Sequence, residues 1–162
     1  MEPVTQSIDE RIQSNWDSVV QNDAMAAERA DRSMDDITVV GVSKYVDAET
    51  TLALWKAGCK HLGENRPQAL WQKAESFRQL TDPDQPTELN WHMIGHVQTN
   101  KLRRMMRCRP FIHSVDSERL LRAIEDEAAR LDIKMSVLLE VNISGDEYKT
   151  GLSPEQIKHL VA

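Results

Sequence analysis

Apolar residues recur along this chain in two rhythms. Near the start, Ile8, Ile12, Trp16, Val19, Val20 and Ala27 return at helical spacing on one stripe. Ser7 precedes Glu10 by three residues, the spacing of a capping box, so a helix is predicted from about Ser7. After Asp35 the rhythm changes. Five short apolar runs follow, Ile37–Val42, His61–Gly63, Leu89–Gly95, Phe111–Val115 and Met135–Ile143. They are nearly continuous rather than alternating, which predicts strands of a parallel sheet buried on both faces.

Helical signals separate these runs. Asp47 is placed to cap a helix through Trp55 that stops at Gly58. Pro67 suits the first helical position ahead of Ala69–Leu80. Asp116 is expected to cap a helix with Leu120, Leu121, Ile124, Ala128 and Leu131 on one side. The stretch Thr81–Glu88, with Pro83 and Pro86, reads as irregular. Strands alternating with helices define an α/β class, either a doubly wound sheet or a (β/α)8 barrel. Size alone favours the sheet, because a full barrel typically takes about 250 residues. Ser153-Pro154-Glu155-Gln156 then opens another helix with no strand after it. This predicts an interrupted barrel: one partial barrel domain over 1–162, with the N-terminal helix in 1–35 and about five of eight βα units in 36–162.

Composition narrows the classes. The 162 residues hold 20 basic and 26 acidic side chains, a net charge of −6. That balance argues against bulk nucleic-acid binding. No long uncharged apolar stretch is present to span a membrane, and Met1–Gln13, with Glu2, Asp9 and Glu10, has no apolar core of a secretory signal. Cys59 and Cys108 lie far apart, which excludes a disulfide framework and a four-cysteine zinc site and makes a reducing cytoplasm the default.

Lys44 carries the strongest chemical signal. Alternation puts it on the face of Thr38, Val40 and Val42, at the C-terminal end of the first strand. Barrels keep their reactive groups at that end. Burial there would favour the neutral amine, which attacks carbonyls; the ordinary alternative is a lysine that snorkels to the surface. Asn65 shares parity with His61 and Gly63 and reaches the same rim, or else only turns the chain before Pro67. His92 and His96 lack the glutamate of a zinc helix and, on a strand, stand roughly 13 Å apart, so no metal site is expected. His96, His113, Ser114 and Asn142 sit near strand ends. Lys101–Arg109 holds five basic residues and no acid, leaving 15 basic against 26 acidic elsewhere. It reads as a solvated face or as a docking patch for an acidic partner. The loop Gly145–Gly151 is not a phosphate-binding P-loop.

Several segments together resemble the YggS/PROSC family of pyridoxal phosphate homeostasis proteins, whose barrel is similar to the N-terminal domain of alanine racemases. They are Val39-Val40-Gly41-Val42-Ser43-Lys44, Gly63-Glu64-Asn65, Trp91-His92-Met93-Ile94-Gly95-His96-Val97-Gln98-Thr99-Asn100-Lys101, Ile112-His113-Ser114-Val115-Asp116 and Val141-Asn142-Ile143-Ser144-Gly145. The resemblance implies a (β/α)8 barrel and a role in intracellular homeostasis of pyridoxal 5′-phosphate (PLP). It implies that Lys44 holds the cofactor as a Schiff base, that Asn65 lies beside it, and that His96, Ser114 and Asn142 line the rim. The cofactor phosphate of such proteins is held late in the barrel, beyond the segments present here. A carrier rather than a turnover enzyme is implied, with PLP-dependent apoenzymes as recipients. The competing readings are a PLP-dependent amino-acid racemase, which requires a second base opposite the lysine, and a non-binding interaction module.

Overall fold

A computed structural model describes residues 6–81 and 88–160. Five parallel strands form one sheet: β1 (Gly41–Val42), β2 (His61–Glu64), β3 (Asn90–Met93), β4 (Phe111–Val115) and β5 (Val137–Leu139). They pair in chain order, β1-β2-β3-β4-β5. A doubly wound sheet reverses direction at a switch point; this order never does. It is the arc of a (β/α)8 barrel, as the family resemblance implied and against the preference drawn from size.

The helices form where local signals predicted them. Ser7 and Glu10 exchange both capping-box hydrogen bonds at the head of α1 (Ile8–Arg29). Asp47 accepts from Thr50 N and starts α2 (Ala48–Lys56), and Gly58 follows at φ 109°, a conformation glycine adopts at low cost. Pro67 opens α3 (Pro67–Leu80). Between β3 and β4 lies a short helix, α4 (Leu102–Met105), flanked by 3-10 turns at Thr99–Lys101 and Met106–Cys108. Its apolar content is too brief to show as periodicity. The next helix, α5 (Glu118–Leu131), is capped by Ser117, whose Oγ accepts from Leu120 N. Asp116 was expected in that place; it lies one residue too early and bonds elsewhere. The last helix, α6 (Pro154–Leu160), begins at the predicted proline. Most of the irregular stretch Thr81–Glu88, residues 82–87, lies outside the described residues.

The sheet is covered on one face only among the described residues. Leu62, Trp91, Met93 and Ile112 point into the helical layer, where Leu70, Phe77, Leu102, Met105 and Ile124 close the core. Trp55, Phe77 and Trp91 meet edge to face, with centroids 6.3 and 5.5 Å apart. The opposite face is open at its margins: Val42 is 52% and Leu138 48% exposed. The expectation of strands buried on both faces is corrected there. The apolar runs also overstate strand length, since Ile37–Val40 and Val141–Ile143 lie outside the named strands. Val141 makes only an isolated bridge to Leu152.

Gly95 packs directly on the backbone at the end of β2. A Cβ there would lie against Asn65 O and 2.8 Å from Asn65 C and Cα. Backbone atoms cannot yield as a flexible side chain does. Gly95→Ala is expected to cost about 2–3 kcal/mol of stability, a fall in Tm of roughly 6–10 °C for a chain of this size. Gly145→Ala meets nothing within 4 Å and has only its positive φ of 67° to accommodate; its expected cost is about 1 kcal/mol. Thermal melts of both variants check the order.

Candidate functional site

The C-terminal tips of β1, β2 and β3 carry three of the five expected residues. Lys44 lies in the turn after β1, Asn65 directly after β2, and His96 shortly after β3. Val42 pairs with Gly63, so the chain positions that lead to Lys44 and Asn65 run side by side. A Cβ at Gly63 would touch Val40 Cγ1, Ile94 Cδ1 and Val42 Cγ2, which places these residues on the face away from the helices. Asn65 and Lys44 share its parity.

Lys44 is exposed, with Nζ 4.9 Å from the centroid of the Tyr45 ring, itself 84% exposed. Burial was the ground for expecting a free amine, and the described residues do not supply it. The face that would shelter Lys44 is open beside β1. What the structure offers instead is an accessible amine on a constrained turn. Val46 N donates to Ser43 O at 3.1 Å and closes that turn.

Behind the turn, on the helical face, lies a buried charged cluster. Lys73 of α3 donates through Nζ to Ser43 O at 2.6 Å and is ion-paired with Glu64 Oε1. Ser43 Oγ donates to the same carboxylate oxygen at 2.9 Å. Ser43, Glu64 and Lys73 are 1%, 0% and 7% exposed. Glu64 Oε2 has no hydrogen-bond partner among the described residues. Glu64 and Lys73 were not foreseen as a pair. The available signal was a lysine lying three residues after Leu70 and four before Phe77, on the apolar stripe of α3.

Further ties run across the tips. Ser114 alternates with Ile112, so it lies on the helical face rather than at the rim, and its Oγ donates to Gly95 O. His96 donates from Nδ1 to Asp116 Oδ2 at 2.9 Å; a carboxylate only accepts, which fixes the imidazole tautomer and leaves Nε2 facing solvent. Asn142 turns into its own loop, donating to Asp146 O and Lys149 O and accepting from Ser144 Oγ. The structure thus places Lys44, Asn65 and His96 at the tips, turns the amide of Asn142 into its own loop and ties the hydroxyl of Ser114 to Gly95 across the tips.

Three histidines form a line lower on the open face. His61 Nδ1 and His92 Nε2 share a hydrogen bond at 2.9 Å, and His92 Nδ1 and His113 Nε2 share another at 2.8 Å. Phe111 stacks edge-on against His92 and His113. They line a cavity of about 670 Å³ with Arg109, Lys134 and Met135, at the N-terminal end of the sheet and without Lys44 or Asn65. Spacing along the sequence set His92 and His96 too far apart to act together, and strand register joins His92 to its neighbours across the sheet. Among the described residues no group of three His, Cys, Asp or Glu side chains is arranged to hold a metal ion. The basic segment Lys101–Arg109 proves amphipathic. Leu102, Met105 and Met106 are buried while Arg103, Arg104, Arg107 and Arg109 are exposed, Arg104 lying 4.8 Å from the Trp71 ring centroid.

The chain is similar to proteins of known name. No family model matches it. It is 37% identical over 142 residues to the pyridoxal phosphate homeostasis protein of Aquifex aeolicus, covering 88% of this chain and 59% of that protein. A crystal structure of an unknown protein from Bifidobacterium adolescentis superimposes with a TM-score of 0.83 at 29% identity, over 99% of this chain and 66% of the other. PipY of Synechococcus elongatus PCC7942, solved with PLP bound, superimposes with a TM-score of 0.68 at 27% identity, over 86% of this chain and 61% of PipY. The chain spans between half and three-fifths of the length of the first curated relatives it matches. The resemblance drawn from the motifs and the barrel class it implied are both borne out.

Burial, followed by the neighbouring His113 and His61, holds His92 down at about 4, against 6.5 for a free imidazole; burial also lowers His113. Below pH 6.5 the unfolded chain takes up a proton that folded His92 refuses until about pH 4. Stability therefore falls as pH drops through that window, by roughly 3 kcal/mol from this group. Urea unfolding at pH 7.5, 5.5 and 4.5 measures the loss, and His92→Gln is expected to flatten the slope.

Proposed function

We propose, from the chain's kinship with the pyridoxal phosphate homeostasis proteins, that it binds PLP as a Schiff base on Lys44 and serves PLP homeostasis in the cytoplasm. The observation that carries this reading is the position of Lys44, on a hydrogen-bonded turn one strand from the Asn65 carboxamide, in a chain similar to proteins named for PLP homeostasis. The donor set fits the aldehyde-bearing end of such a cofactor. It comprises a primary amine, a carboxamide and an imidazole, and the neighbouring carboxylates are engaged, Asp47 with Thr50 N, Glu64 with Lys73 and Asp116 with His96. When bound, the cofactor supplies an aldehyde carbon with which an amine condenses reversibly.

This chain's residues supply the rest. Lys44 offers the attacking nitrogen, and its exposure leaves it open to exchange with an incoming amine. Asn65 both donates and accepts, and so can orient a polar ring substituent. His96, its Nδ1 committed to Asp116, presents Nε2 as a proton acceptor at the rim. This reading makes the protein a store of the cofactor that delivers it to PLP-dependent apoenzymes, in keeping with relatives named pyridoxal phosphate homeostasis proteins. No helix among the described residues is long and apolar enough to cross a membrane.

Mixing with PLP, reduction by borohydride and peptide mass spectrometry are expected to place the label on Lys44. Lys44→Ala is expected to leave the fold intact, as exposed substitutions do, and to weaken PLP retention at least tenfold, roughly 1.4 kcal/mol or more. Retention unchanged in that variant defeats the assignment. Racemisation of amino acids by the PLP-loaded protein, followed by chiral chromatography, defeats the carrier reading.

A further inference from the structure

The buried cluster behind the rim lies one residue from each of the two groups assigned to the cofactor. Ser43 precedes Lys44, and Glu64 precedes Asn65. One ammonium, Lys73 Nζ, is bonded to the backbone of the first strand end and to the side chain of the second. The Ser43 carbonyl it takes is the same one that accepts from Val46 N and closes the Lys44 turn. Glu64 is also held by its backbone, since its carbonyl accepts from Ile94 N at 2.8 Å. We infer that Lys73 and Glu64 are positioning residues: their buried ion pair sets the turn that presents Lys44 and the register of Asn65 beside it.

The chemistry favours this over a role in stability alone. A buried ion pair contributes little net stability compared with apolar groups of the same volume, because desolvation offsets the attraction. Breaking it from one side is costly, because the remaining charge stays buried. What the pair does supply is direction. The ammonium has three donors, and two meet oxygens belonging to different strands. The carboxylate gathers the lysine and the Ser43 hydroxyl on one oxygen. Removing both charges together abolishes the alignment without stranding either group.

This inference rests on the PLP reading above only for its meaning, and its test separates the two. The protein would be compared with Lys73→Met, Glu64→Gln and the double variant Glu64→Gln/Lys73→Met. Each single variant is expected to lower the melting temperature and the double variant to recover most of it. The first decisive readout is amide hydrogen exchange followed by NMR, without cofactor. In the double variant the amide of Val46, which donates to Ser43 O, is expected to exchange at least tenfold faster, with β3 and β4 unchanged. The second readout is the share of borohydride-fixed PLP found on Lys44 against the other lysines. It is expected to fall at least fivefold in the double variant, whose fold is retained. Unchanged exchange at Val46, or an unchanged Lys44 share, overturns the positioning role. If the unaltered protein shows no preference for Lys44, the PLP reading fails, and the exchange data still decide the role of the pair.

Discussion

A lysine and a glutamate buried beneath the strand tips impose the strictest constraint on this fold. Lys73 and Glu64 come from α3 and the end of β2, and their shared partner, Ser43, directly follows β1. Neither charge reaches water, so each depends on the other being placed correctly. α3 can therefore settle on the sheet in only one register. The turn that carries Lys44 inherits that register through the Ser43 carbonyl. Toward β3 and β4 the same lateral linkage continues by smaller means: a glycine seated on the Asn65 backbone, the Ser114 hydroxyl on Gly95 O, and His96 tied to Asp116.

The sequential order of the strands explains why the two faces differ. Each crossover is helical and returns on the same side, so the helices gather on one face and leave the other to the interior of the arc. The helical face carries Leu62, Trp91, Met93 and Ile112 together with the buried ion pair. The inner face carries Val40, Val42, the histidine line and, at the tips, Lys44 and Asn65. The three histidines of the inner face bond to one another, and His92 uses both ring nitrogens on its neighbours. That arrangement suits a neutral interior, since adding a proton would place charge between two imidazoles in a low-dielectric setting.

The similarity to the homeostasis proteins covers most of this chain and little more than half of those proteins. It bears out the fold and the kinship that the motifs suggested. The contribution visible in these residues is Lys44, Asn65 and His96 following the tips of three successive strands. Lys44 is exposed on a turn closed by the Val46–Ser43 hydrogen bond.

The sequence by itself determined the local features. Capping residues, Pro67, Gly58 and the apolar runs set where five of the six helices and all five strands among the described residues lie, because these signals act over a few residues. It also placed Lys44 and Asn65 at adjacent tips, since strand parity needs only counting. It missed α4, whose apolar positions are too few, and put a cap at Asp116 where Ser117 makes the bond. Only the tertiary structure decided that Lys73 meets Glu64, that His92 belongs with His61 and His113 rather than His96, that Ser114 faces the helices and that Lys44 stands open. Those outcomes depend on the register between segments 9 to 31 residues apart, which periodicity along one segment does not encode.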